Sequence, residues 1–282
     1  MDDCSKDNSV NVINDWIQQK QLNCIFIPHL VNLGLCKTLN EALSHSNGKY
    51  IQFIACDDIL FNNKTENQVK IFLKNNSDNL VFVYSDMVSI NEQNEIVSNT
   101  WFEYYKKSNT LPPTGSAYDE ILAVPLIPAP SLLIDKNKIL QLGGYDESLV
   151  FEDLDFILRS TKQFEIDCID EPTVYYRRLN NSLSRKLDEN YIYSHILLYK
   201  KQLRGATLKH RKIIYGKLYS FAKKAYDKEM KEAWKWLYYG VKYKGSFKEY
   251  FLLVFSTMGV KSSFTYELLN RLSSIKRKFK HS

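Results

Sequence analysis

The sequence contains no run of eighteen apolar residues and no charged-then-apolar opening. Both absences predict a chain that neither spans a bilayer as a helix nor is exported on a cleaved signal. Its five cysteines, at positions 4, 24, 36, 56 and 168, form no CxxC pair and no paired framework. A disulfide scaffold and a structural zinc site are thereby disfavoured, and a reducing, cytoplasmic compartment is expected. No internal repeat or low-complexity segment is present.

What is present is a globular composition, 44% hydrophobic and 25% charged over 282 residues, long enough for one or two domains with a substantial core. The formal net charge of +6 hides a division. Residues 1–187 carry 17 Lys and Arg against 25 Asp and Glu, a net of −8, whereas residues 188–282 carry 21 against 7, a net of +14. The contrast predicts two modules with a boundary near Leu187.

Within the acidic part, helix and strand patterns alternate. Ser9 to Lys20 has helical apolar spacing, and Cys24 to Pro28 reads as a short buried strand. Leu33 to Ser44 returns to helical spacing, with Leu35, Leu39, Ala42 and Leu43 on one side. Asn47-Gly48 predicts a turn, Tyr50 to Cys56 the next strand, and Asn63 to Lys74 a helix ahead of the apolar strand "LVFVYSDMVSI". This alternation argues for an α/β layer architecture. In such sheets ligands sit beyond the carboxyl ends of strands, where Asp57 and Asp58 fall. Adjacent carboxylates there suit a hard divalent cation that offsets the phosphates of a nucleotide. A solvated strand end or a helix cap accounts for the same dipeptide.

The longer stretch "NLGLCKTLNEALSHSNGKYIQFIACDDIL" resembles the central signature of the inverting, GT-A-fold glycosyltransferases of family 2. The resemblance implies a GT-A-like fold, a nucleotide-diphospho-sugar donor, Mn or Mg as cofactor, and a donor site framed by Asn32, Gly34 and the Gly48-Lys49-Tyr50 turn. It makes Ala55-Cys56-Asp57 the local form of the metal motif, with Asp57 as its metal-binding final Asp and Asp58 behind it or linked through water. Ala55 stands where another Asp is usual, which leaves fewer carboxylates for the ion. The loop "MDDCSKD" resembles the one whose second Asp recognises a uridine base, which places Asp3 at the nucleoside. Two solvated acidic residues at a chain end fit it equally.

In "LGGYDESLVFEDLDFILRSTK", Glu152-Asp153 corresponds to the family's acidic pair, Asp153 to the catalytic base, and Glu152 to a group that orients the acceptor or Asp153. The helical spacing of Phe151, Leu154, Ile157 and Leu158 also fits the polar first turn of an ordinary helix. "VYYRRLNNSLSRK" resembles a basic segment that places Arg177, Arg178 or Ser184 near the diphosphate, although Leu179 stands where the family often has His. Residues 103–128 are expected to form a mobile acceptor-side loop, and "PAPSLLIDKNKIL" the strand and helix that follow.

The family's opening strand, helix and strand have no counterpart in this chain, which implies uncovered backbone groups and a lost wall of the donor site. The expected function is transfer of a sugar to a saccharide or lipid-linked glycan. The alternative is a catalytically weak or inactive GT-A-like binding or scaffold protein. Residues 188–282 read as basic helices with breaks at Gly216, Gly240 and Gly245. Their interleaved Lys, Tyr, Trp and Phe suit an anionic membrane surface at the inner face of the plasma membrane. A nucleic acid is the less favoured partner, and a plain helical cap remains open.

Overall fold

In the computed structural model, which describes residues 1–75, 78–179 and 187–278, the chain divides into two compact units, Met1–Ser182 and Leu183–Ser282. The first unit is mixed α/β. Its opening helix α1 (Ser9–Lys20) forms where the spacing predicts, yet none of its residues is buried and Trp16 is 54% exposed. Cys24 to Pro28 is extended and largely exposed instead of a buried strand, because its sole bridge runs from Pro28 to Asp2. One bridge leaves the segment without the ladder that would bury it. Helix α2 (Leu35–His45) buries Cys36, Thr38 and Leu43, while Leu35 stays exposed.

The strand expected through Cys56 is limited to β1 (Tyr50–Ile51), since residues 52–55 join no ladder. After it come β2 (Ile59–Leu60), α3 (Lys64–Lys74), β3 (Leu80–Ile90) and β4 (Ile96–Ser98). Residues 103–128, expected as a loop, instead contain α4 (Glu103–Ser108) and α5 (Tyr118–Ala123), anchored by buried Tyr105, Ile121 and Leu122. Then follow β5 (Leu133–Asp135), α6 (Lys136–Gln141), α7 (Asp153–Thr161) and β6 (Glu165–Arg177).

The sheet runs β1-β5-β3-β6-β2, with β4 also paired to β3. All eleven residues of β3 are buried, the pattern of a strand covered on both faces. It lies parallel to β6 from Leu80↔Glu165 to Ile90↔Arg177 and antiparallel to β5. Asp86 adds a charge to this strand that is repaid locally. Its Oδ1 accepts the Met87, Trp101 and Phe102 amides and its Oδ2 the Thr100 hydroxyl, so it ties residues 100–102 to the sheet.

The second unit is helical: α8 (Glu189–Gln202), α9 (Leu208–Asp227), α10 (Ala233–Tyr243), α11 (Phe247–Thr257) and α12 (Ser262–Lys278). Asp188 and Thr207 cap α8 and α9 by accepting the amides of Tyr191 and His210. Of the three glycines expected as breaks, only Gly245 is one. Gly216 and Gly240 lie inside helices, and a Cβ at Gly240 would stand 2.4 Å from the Tyr219 ring, so the missing side chain lets α9 and α10 approach closely. No helix among the described residues is long and apolar enough to cross a membrane.

Lys64 is fully buried beneath the sheet. Its ammonium donates to Gln52 Oε1 at 2.6 Å and Gln68 Oε1 at 2.7 Å. Burial pushes its pKa from 10.5 down to about 7. The unfolded chain therefore holds an extra proton between those two values, and stability rises with pH across that window. We predict that wild type gains on the order of 3 kcal/mol relative to Lys64→Met between pH 7 and pH 10.5, read by urea denaturation at each pH. A parallel pH dependence in the two proteins would contradict it.

Candidate active site

β2 begins directly after Asp58. Its pairing with β6, Ile59↔Tyr175 and Leu60↔Val174, lays the Asp57-Asp58 turn against the end of that strand. Arg177 fastens it there. The Arg177 amide donates to Asp58 Oδ1, its Nε to the Asp57 carbonyl and its Nη1 to the Asn91 carbonyl, each at 2.9 Å. The second oxygen, Asp58 Oδ2, is buried with no hydrogen-bond partner among the described residues. Burial pushes this carboxyl up to about 6; the Arg177 amide opposes the shift and the neighbouring Asp57 charge adds to it.

A buried carboxylate oxygen without a partner is costly, and a cation would supply one. Among the described residues, no group of three or more His, Cys, Asp and Glu is arranged to hold a metal ion. Two adjacent carboxylates match Mg or Mn instead, ions that keep waters and take further ligands from substrate phosphates. The residues fit such an ion as an open site.

Asp3 organises a second cluster. Its Oδ1 accepts the Leu33 amide at 2.7 Å and its Oδ2 the Gly34 amide at 2.9 Å, which caps the approach to α2. Asn32 Nδ2 donates to the Asp3 carbonyl at 3.0 Å, and Gly34 takes φ +85°, a left-handed angle that disfavours other residues. His29 completes the cluster, with Nδ1 2.8 Å from Asp3 Oδ1 and Nε2 3.0 Å from Glu41 Oε2. Asp3 raises the His29 pKa, and Glu41 adds to it. Burial pulls the Asp3 carboxyl up, but His29 and the two amides hold it below the ordinary carboxylate range.

The acidic pair stands at the start of α7, where Glu152 is the N-cap and Asp153 the first helical residue. Asp153 Oδ1 accepts the Leu154 amide at 2.6 Å. Burial is the larger cause that raises both carboxyls, Glu152 to about 7 with the Asp153 charge adding to it. The helix is fixed by Arg159, whose Nε reaches Asp155 at 2.6 Å while Nη1 and Nη2 donate to the Leu142 and Gly144 carbonyls. Gly144 itself has φ +74°, and a Cβ there would meet Asn40 Oδ1 at 2.6 Å.

Asn40 joins α2 to this turn. Its Nδ2 donates to the Tyr145 carbonyl and its Oδ1 accepts the Tyr145 amide, at 2.9 and 2.8 Å. Tyr145 packs edge-on against Phe53, ring centroids 5.6 Å apart, four residues before Asp57. The Tyr145 hydroxyl and the Cys36 thiol both feel the charges of Glu152 and Asp153, which places the pair beside α2.

The predicted residues thus fall into three places. Asp57 and Asp58 form one turn; Asp3, Asn32 and Gly34 form one hydrogen-bonded cluster; Glu152 and Asp153 form one helix start. Lys49 is exposed, its Nζ 5.2 Å from the Tyr50 ring. Arg178 is half-buried, its amide on the Ile90 carbonyl at 2.8 Å, so Arg177 and not Arg178 is the residue bonded to the Asp57-Asp58 turn. Ser184 lies outside the described residues. Sequence reasoning missed His29, Glu41 and Asn40. Asn40 and Glu41 lie inside the quoted signature, and only the fold reveals their partners.

A family model described as Glycosyl transferase family 2 matches residues 1–121. Over 202 residues the chain is 31% identical to an uncharacterized glycosyltransferase of Methanocaldococcus jannaschii, covering 70% of this chain and 66% of that protein. A shorter match, 36% over 76 residues, relates it to an uncharacterized glycosyltransferase of Haemophilus influenzae, covering 27% of this chain and 30% of that one. The chain thus spans just under two thirds of one curated relative and under one third of the other. Among solved structures, S. aureus TarS 1–349 in complex with UDP superposes with a TM-score of 0.55 at 15% identity, covering 92% of this chain and 76% of that one. The mannosyltransferase PcManGT from Pyrobaculum calidifontis, in complex with GDP-Man and Mn2+, gives 0.56 at 14% identity, covering 91% and 69%. On an α/β scaffold of GT-A type, residues 1–121 of the chain thus belong to glycosyltransferase family 2.

Proposed function

We propose that the chain is a metal-dependent, inverting glycosyltransferase. It moves a sugar from a nucleotide-diphospho-sugar, with a uridine nucleotide as the preferred donor, to a saccharide or lipid-linked glycan at the cytoplasmic face of the membrane. The observation that carries this reading is the raised acidic pair at the start of α7, joined through Tyr145 and Phe53 to the segment that ends in Asp57. A relative solved with GDP-Man and Mn2+ and another solved with UDP support the donor class.

Asp57 and Asp58 would hold the Mn or Mg ion, which when bound offsets the charge of the donor's diphosphate. Asp3 holds the nucleoside end through its remaining lone pair, with Asn32 and Gly34 shaping the loop around it and Lys49 as a further donor-binding residue. Arg178 and Ser184 serve the diphosphate side. Asp153 accepts the proton of the acceptor hydroxyl as that oxygen bonds to the anomeric carbon. The bond from that carbon to the diphosphate oxygen breaks on the opposite face, the nucleoside diphosphate leaves with the electron pair, and the configuration inverts. Glu152 acts by orienting the acceptor or Asp153.

A buried carboxylate with a raised pKa is a stronger base near neutrality than an exposed one. A second reading, a binding or scaffold protein without turnover, draws on the uncovered apolar surface around α1, where Ile25 is 63% and Leu30 96% exposed. Donor turnover measured beside metal-dependent nucleotide binding separates the two, since binding without turnover favours the second.

Two outcomes are expected. Asp153→Asn lowers kcat by about 10²–10⁴-fold while calorimetry gives unchanged donor binding; equal turnover rejects Asp153 as the base. In wild type, kcat/KM rises with pH as the pair loses its protons, with an acid limb above the ordinary carboxylate range because burial raises both carboxyls. Glu152→Gln removes the carboxyl that the Asp153 charge helps to raise, so the limb loses that titration and moves to that of Asp153 alone. An unmoved limb would remove Glu152 from the pair.

A further inference from the structure

α11 presents an apolar face to solvent. Phe247, Tyr250, Val254 and Met258 recur at helical spacing and are 68%, 53%, 51% and 70% exposed. The opposite side is seated: Leu252 is buried, and so is Glu249, which accepts from Tyr219 Oη at 3.1 Å and from Ser246 Oγ. Trp234 and Tyr238, four residues apart on α10, add a second exposed pair. Lys242 links the two helices, since its ammonium lies 5.3 Å from the Tyr238 ring and feels Tyr250 as well. Lys244 and Lys248 stand exposed beside it.

We propose that this face of α10 and α11 docks the chain on an anionic lipid bilayer. The α11 stripe enters the headgroup boundary, the Trp234 and Tyr238 rings lie at its level, and Lys242, Lys244 and Lys248 meet the lipid phosphates. Charge and polarity together select this occupant. A nucleic acid would satisfy the lysines but leave Phe247, Val254 and Met258 in water, because phosphate contacts bury no apolar stripe. A second copy would cover the stripe but bring two strongly basic surfaces together, residues 188–282 carrying a net +14 each. An anionic bilayer satisfies both features. The inference rests on the proposed membrane setting of the function, and its test reads lipid binding alone, so a failure of catalysis leaves it standing.

The test is co-sedimentation of the full chain with vesicles of phosphatidylcholine alone and of phosphatidylcholine mixed with phosphatidylglycerol. Binding is expected to be about tenfold tighter on the anionic vesicles and to weaken with added salt. The combined substitutions Phe247→Ser, Val254→Ser and Met258→Ser should weaken it about tenfold at an unchanged thermal midpoint. The separate set Lys242→Glu, Lys244→Glu and Lys248→Glu should abolish the anionic preference, which keeps the test decisive if the serine variant fails to fold. Four results would overturn the proposal: no vesicle binding, equal binding to neutral and anionic vesicles, self-association of wild type that the serine variant loses, or duplex DNA binding tighter than lipid binding.

Discussion

The candidate site depends on one buried carboxylate that the protein satisfies only by half. Asp58 spends one oxygen on the Arg177 amide and keeps the other out of water without a partner among the described residues. Such an atom disfavours the ionised form, and the raised pKa is the record of that cost. The arrangement persists because the turn is over-determined. β2 pairs with β6, β6 runs parallel to the wholly buried β3, and the Arg177 guanidinium closes the turn on the Asp57 carbonyl. The edge of the sheet thus presents two adjacent carboxylates on a turn pinned by Arg177, an arrangement that fits an open metal site.

The other two clusters are held with the same economy of parts. Asp3 is not a free acid at a chain end; four groups of the protein converge on it. Glu152 and Asp153 are fixed through Arg159 and the Gly143-Gly144 turn, and Asn40 reaches across from α2 to the same turn. One helix therefore meets the Asp3 cluster at its N-terminus and, through Asn40, the turn that precedes the acidic pair. Chemistry that needs a base and a leaving group on opposite sides of one carbon requires this kind of shared support.

Much of this was legible from residues alone. β3 and α3 are strongly patterned, and both form where the apolar runs predict. The strands expected through Cys56 and at Cys24 do not form for one reason: apolar content alone does not bury a segment, a strand also needs a ladder partner, and 52–55 have none. Residues 103–128 carry the polar residues and prolines of a loop, yet buried Phe102, Tyr105, Ile121 and Leu122 anchor two short helices there. Arg177 over Arg178 could not be chosen from sequence, since only strand register decides which of two adjacent arginines turns toward the Asp57-Asp58 turn. His29 and Glu41 were illegible for a similar reason, because their meeting with Asp3 is made by the fold and spans many residues of chain.

The most direct measurement is Mn2+ binding by electron paramagnetic resonance, with and without a nucleoside diphosphate, in wild type, Asp57→Asn and Asp58→Asn. The account predicts that wild type takes up Mn2+ tightly only when the diphosphate is present, releases protons as it does so near pH 6, and that both variants lose this uptake. Undiminished Mn2+ binding in both variants, or tight diphosphate binding indifferent to the ion, would contradict it.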